Sequence, residues 1–109
     1  MFRKIVVMAL LLSFSALLVE AQAAKAFSGR VFNSQNNQGI ANLEVKLRPP
    51  RNSSAPIMIG TTDQGGAFHF AQVRVSTYLV EVSQGPYLLY RGEVDLSRQD
   101  TINIPVQHR

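Results

Sequence analysis

The chain contains no cysteine and only two histidines, His69 and His108. The first absence excludes disulfides, thiolate metal sites and a lipoprotein anchor, which needs a cysteine at its cleavage point. The second leaves too few imidazoles for an ordinary zinc site. No Ser–His–Asp set can be assembled either, because no nucleophile-elbow motif accompanies the many serines. A dense basic stripe with interleaved aromatics, the footprint of nucleic-acid binding, is missing as well. Beyond residue 23 no stretch of ten residues carries the 3.6-residue apolar period of an amphipathic helix.

One long apolar run is present, and it lies at the start. Arg3 and Lys4 precede Ile5 to Leu18, which only Ser13 and Ser15 interrupt; Ala21-Gln22-Ala23 then offers a small-x-small cleavage pattern. This is the layout of a secretory signal peptide. A membrane span needs about 18 or more apolar residues, and Glu20 closes this run too early. Cleavage after Ala23 is expected, dividing the chain into a leader, 1–23, and a mature domain, 24–109. Cleavage after Ala26 and retention of the leader as an anchor are the alternatives. Removing the leader leaves nine basic and six acidic side chains, a net charge of +3. The charges are spread along the chain, a balance that favours solubility and mildly favours anionic surfaces. A mature chain of this size buries roughly 60% of its unfolded surface, so without disulfides its core alone must hold it together. An exported domain without cysteine suits a bacterial periplasm or cell surface.

The mature part alternates strand-period stretches with turn chemistry. Phe27 to Phe32 reads as a strand with Phe27, Gly29 and Val31 on one face. Asn33 to Gly39 is a polar loop. Asn42 to Arg48 has the cleanest period, Leu43, Val45 and Leu47 alternating with Glu44, Lys46 and Arg48. Such alternation places one face in a core and the other in water. Pro49-Pro50 ends that strand, because proline cannot donate to a ladder, and the loop runs on to Pro56. Ile57 to Thr62 and Ala67 to Ala71 flank Asp63-Gln64-Gly65-Gly66 and read as a hairpin, with Phe68 and Phe70 inward. Thr77 to Ser83 turns Tyr78, Val80 and Val82 to one side. Tyr87 to Val94 is a strand of ambiguous phase, and Thr101 to Val106 carries Ile102, Ile104 and Val106 in register. Seven short, regularly spaced strands predict an all-β protein, a seven-stranded antiparallel β-sandwich.

The schedule resembles the carboxypeptidase regulatory-like domain of the transthyretin-like, or prealbumin-like, sandwich group. The resemblance rests on Gly29 with Val31, Gly39-Ile40-Ala41, Val45 with Leu47, Thr62-Asp63, Gly65-Gly66, Phe68 with Phe70, and Tyr78-Leu79-Val80. It departs at Thr77, where that family usually has glycine. It implies a Greek-key sandwich that is a non-catalytic appendage, similar in fold to carbohydrate-binding modules. Fold alone does not fix function.

Candidate chemistry is sparse. His69 falls between two core positions, so alternation turns it outward; His108 lies in the tail. Asp63 beside two glycines lacks the further carboxylates a Ca²⁺ loop requires and reads as an Asx-type turn. Tyr90-Arg91-Gly92 resembles part of the closing signature of transthyretin-like hydrolases, but Glu93 follows and no histidine stands in the first strand. Glu81, in a Tyr78-x-x-Glu81 context, resembles the acid that catalyses Lys–Asn isopeptide bonds in related sandwiches. The first strand offers Arg30 in place of the lysine, so Glu81 is expected to face solvent and pair with a basic residue across the sheet. Lys46, Arg48 and Arg51 gather on one strand and its following loop and suit an anionic partner. Tyr87 and Tyr90 flank a Gly85-Pro86 turn and could stack on a sugar ring. No catalytic residue, metal or cofactor is expected. The expected role is a non-enzymatic binding or assembly module with an envelope protein as partner; a carbohydrate-binding module is the alternative and a transthyretin-like hydrolase the remote one. The loops 33–39 and 49–56 are the first places to look for contacts.

Overall fold

Two sheets face each other across a core that every strand but one lines with alternate side chains. The computed structural model describes residues 24–107; the leader reading and His108 lie outside them. The strands are β1 (Ala24–Asn33), β2 (Glu44–Arg48), β3 (Met58–Thr61), β4 (Ala67–Arg74), β5 (Thr77–Gln84), β6 (Tyr87–Asp95) and β7 (Thr101–Val106). They form a three-stranded sheet ordered β4-β1-β7 and a four-stranded sheet ordered β3-β2-β5-β6. The sandwich is thus all-β and seven-stranded, as the spacing predicts. All pairings are antiparallel except β1 with β7, which run parallel, Val31 lying opposite Ile104. Alternation within single strands carries no information about that direction.

Period two explains the core. Phe27 and Val31 of β1, Val45 and Leu47 of β2, and Phe68, Phe70 and Val73 of β4 are all buried. So are Tyr78, Val80 and Val82 of β5, Val94 of β6, and Ile104 and Val106 of β7. Burial of this apolar set removes on the order of 25 cal/mol per Å² from unfavourable contact with water. It offsets the missing disulfides. β3 has no fully buried residue, which accounts for its weak alternation in the sequence.

The expected hairpin at Asp63 is instead a corner. β3 belongs to the four-stranded sheet and β4 to the three-stranded one, so the chain crosses between layers there. Thr62 is pinned at the crossing. Its hydroxyl accepts from the Leu43 N–H at 2.9 Å and donates to the Ile40 carbonyl at 2.7 Å, while its own N–H reaches the Leu43 carbonyl. Asp63 then caps the turn, one carboxylate oxygen accepting the N–H groups of Gly65 and Ala67, both at 2.9 Å. The Asx reading of Asp63 therefore holds. Gly66 takes a φ of 82°, and a Cβ on it would collide with the Val31 carbonyl. A Cβ on Gly39 would strike Gly65 from the other side. The two glycine positions of the motif are thus one backbone-to-backbone contact between separate loops.

The tyrosine that opens the Tyr-x-Val-x-Val motif has a structural task. Its hydroxyl donates to the Arg74 carbonyl at 2.6 Å, locking the β4–β5 connection. Burial raises the Tyr78 pKa above the ordinary phenol value, against a smaller opposing pull from Arg74.

Candidate functional site

The outward face of the four-stranded sheet is charged, and its charges are organised. Cross-strand register places Lys46 of β2 opposite Glu81 of β5, and Glu81 opposite Arg91 of β6. Arg48, two residues along β2, lies opposite Leu79, which in turn faces Glu93. Glu81 is at the centre. Arg48 donates through Nε to one carboxylate oxygen, and Arg91 donates through Nε at 3.1 Å and Nη2 at 2.8 Å to the other. The two guanidiniums cover the carboxylate so fully that Glu81 is only 6% exposed, although it sits on an outward face. The hydrogen bonds from Arg48 and then Arg91 hold its pKa below the usual glutamate value, against the opposing effect of desolvation.

This arrangement corrects one expectation and meets another. Glu81 does pair across the sheet with a basic residue, but it is buried rather than solvent-facing. It also points away from the core, so it is not placed as an isopeptide acid between sheets. What it does instead is hold two arginines in fixed directions. Arg48 uses Nε for this bond, which leaves its terminal nitrogens for other acceptors; Arg91 keeps Nη1.

Beside this pair the surface opens into a cleft of about 680 Å³. Arg48, Arg51 and Arg91 supply its positive charge and Glu93 its one acidic residue. Pro49, Pro50, Ile57 and Leu79 supply its apolar wall. The Pro49–Pro56 loop, expected to make contacts because of its length, forms this wall with its first residues. Proline stiffness keeps that wall in place without a hydrogen-bond ladder.

The five residues picked out from the sequence separate here. Arg48 and Arg51 line the cleft. Lys46 shares the sheet face but is bonded to Glu44 at 3.4 Å and is not part of the lining. Tyr87 is exposed and lines a different, mostly uncharged cleft of about 800 Å³ between the β6 and β7 edges, with Leu88, Leu89, Pro105 and Val106. Tyr90 packs against the core and lies over Gly92, so close that a Cβ there would meet its hydroxyl. The two tyrosines therefore do not form a stacking platform. A bulge between Val82 and Ser83 in the β5–β6 pairing separates them. The same bulge hid Arg91 and Glu93 from the sequence reading, because it leaves β6 without a constant phase; the Arg-x-Glu alternation was the one available signal.

The remaining candidates are quiet. His69 is exposed on the other sheet, opposite Ser28 of β1, and makes no side-chain hydrogen bond among the described residues. No group of three His, Cys, Asp or Glu residues able to hold a metal occurs among the described residues. The Asn33–Gly39 loop is tied down, Arg30 of β1 donating to the Asn37 carbonyl at 2.8 Å and the Gln38 N–H donating to the Asn36 side-chain oxygen.

The layer order and the motif contacts define a β-sandwich domain. Residues 26–107 match the family model described as BOS complex subunit NOMO1-like, second beta sandwich domain, and the chain belongs to that family. The crystal structure of a DUF3823 family protein from Parabacteroides merdae is similar, with a TM-score of 0.55 and 14% identity. The match covers 77% of this chain and 45% of that one. At such identity the likeness concerns the fold alone. Comparison with curated proteins gives no match.

Proposed function

We propose that this chain is an exported, non-enzymatic binding module that recognises an acidic segment of a protein partner in the cell envelope. The observation that carries the reading is the Arg48–Glu81–Arg91 bridge. A carboxylate enclosed by two guanidiniums orients both of them before any ligand arrives, which lowers the ordering cost of binding. Planar guanidinium forks match the two oxygens of a carboxylate better than a point charge does. Arg51 and the proline wall add a third cation and an apolar contact beside them.

The resemblance to carboxypeptidase regulatory-like domains, carried by the Thr62-Asp63, Phe68-x-Phe70 and Tyr78-x-Val80 elements, supports an appendage role of this kind. The carbohydrate-binding alternative loses its main support because Tyr87 and Tyr90 face different surroundings. The hydrolase alternative rested on Tyr90-Arg91-Gly92, whose arginine here braces Glu81.

Calorimetric titration with a glutamate-rich peptide and its glutamine counterpart tests the reading. The acidic peptide should bind saturably, more weakly as salt rises, and the glutamine peptide should not. Equal binding of both, or of neither, would remove the proposal.

A further inference from the structure

The edge strand β6 offers a second surface, whose outward residues Arg91 and Glu93 also border the cleft. It is nine residues long and contains no proline. It pairs only with β5, since it ends the β3-β2-β5-β6 order. Two of the other edges are better protected: β3 has four residues and β7 carries Pro105. β4 and β6 each touch an edge strand of the opposite sheet, β3 and β7 respectively. Charged side chains on an edge ordinarily discourage pairing with another chain. On β6, however, the two signs are arranged so that they can satisfy each other. Arg91 and Glu93 both point outward, lying opposite Glu81 and Leu79, with Gly92 between them opposite Val80.

A two-fold axis through Gly92 would lay one β6 antiparallel to another. Arg91 of each copy would then stand opposite Glu93 of the other, twice over. Directly opposed side chains in such a pair are about 5 Å apart, close enough for an ion pair. Neighbouring registers fail on charge: an axis at Arg91 opposes two arginines, and an axis at Glu93 opposes two glutamates. The groups needed are available as well. Glu93 has no salt bridge among the described residues, and Arg91 engages Glu81 through Nε and Nη2 only. Gly92 brings no outward or inward bulk to the axis, and Tyr90 covers its inner side.

We infer that the chain forms an isologous dimer through antiparallel β6–β6 pairing centred on Gly92, joining two four-stranded sheets into one of eight strands. The self-complementary pattern of an isologous interface, in which residue i meets j and j meets i, is present in this short stretch. The dimer would set two arginine clefts side by side on one continuous sheet face, which suits a partner carrying repeated acidic segments.

Sedimentation velocity on the exported chain across the micromolar range tests this. The expected result is a monomer–dimer equilibrium that weakens with added salt. Glu93→Arg should raise the dimer dissociation constant at least roughly tenfold, with the circular dichroism spectrum unchanged to show that the sandwich is intact. Glu93→Gln should have a smaller effect in the same direction. A single monomeric species at every concentration would overturn the inference, as would a dimer that Glu93→Arg leaves intact. A monomer whose β6 amides become protected from exchange only on adding an acidic peptide would also overturn it, in favour of strand addition by the partner.

Discussion

The two outward faces of this sandwich are built on the same scaffold and serve different ends. On the three-stranded sheet the outward rows His69–Ser28–Thr101 and Ala67–Arg30–Asn103 form the middle of the face, mostly small and neutral. Of its two arginines, Arg74 stands exposed at the end of β4 opposite Ala24, and Arg30 is held over the Phe32 ring at 5.4 Å and bonded to the Asn37 and Gly65 carbonyls. Arg30 works as a brace for the loops. On the four-stranded sheet three arginines adjoin one cleft, and a buried carboxylate aligns two of them. The lesson is that basic residues are informative by what already engages them. Arg30 is engaged by backbone carbonyls and ring, whereas Arg48 and Arg91 are positioned with donors to spare.

The comparison can be broken most forcefully from below. Leu47 is fully buried beneath the charged face, and Leu47→Ala should cost about 2–5 kcal/mol in denaturant unfolding. Phe32→Ala, on the opposite outward face, should cost about 1 kcal/mol or less, since it removes a half-exposed ring and its cation contact. Similar losses from both would mean that the neutral face is as tightly packed as the core.

Binding sharpens the contrast next. Arg48→Ala combined with Arg51→Ala should weaken the acidic peptide at least tenfold, about 1.4 kcal/mol. Arg30→Ala should leave affinity within about twofold, because that cation is remote from the cleft and already engaged. Titration calorimetry of the two variants decides between a local site and general attraction to a basic protein.

A smaller effect concerns pH. The folded-state pKa of Glu81 is depressed below its ordinary value of 4.5. Its stabilising contribution is therefore complete above the unfolded value and disappears as pH falls through the lower, folded one. Urea midpoints followed downward from pH 5 should show this decline, and Glu81→Gln should flatten it. Both arginines are substantially exposed, 42% and 59%, so solvent screening keeps the contribution to about 1 kcal/mol or less. The smallest effect is expected at His69. His69→Ala on the neutral face should change neither stability nor peptide affinity beyond error.

Much of the scaffold was legible because period two and turn chemistry are local signals. Leu43-x-Val45-x-Leu47, Phe68-x-Phe70 and Ile102-x-Ile104-x-Val106 each announced their inward side, and Asp63-Gln64-Gly65-Gly66 announced its turn. The direction of β7 beside β1 was not legible, nor was the corner at Thr62, because both depend on partners distant in the sequence. The candidate site was half visible. Arg48 and Arg51 stood out through their strand and loop, while Arg91 sat behind a bulge that scrambled the phase of β6. Glu81 looked like an ordinary exposed residue, since burial by two side chains from neighbouring strands leaves no trace in its own alternation. Tyr90 misled for the related reason that a glycine two positions away gave its ring a place to lie inward.

Amide chemical-shift mapping during titration with the glutamate-rich peptide tests the central claim most directly. Perturbations should concentrate at Arg48, Arg51, Leu79, Arg91 and Glu93, with the Ser28–Phe32 outer face unmoved. Shifts centred on the Asn33–Gly39 loop or on the three-stranded sheet, or no saturable shifts at all, would contradict it.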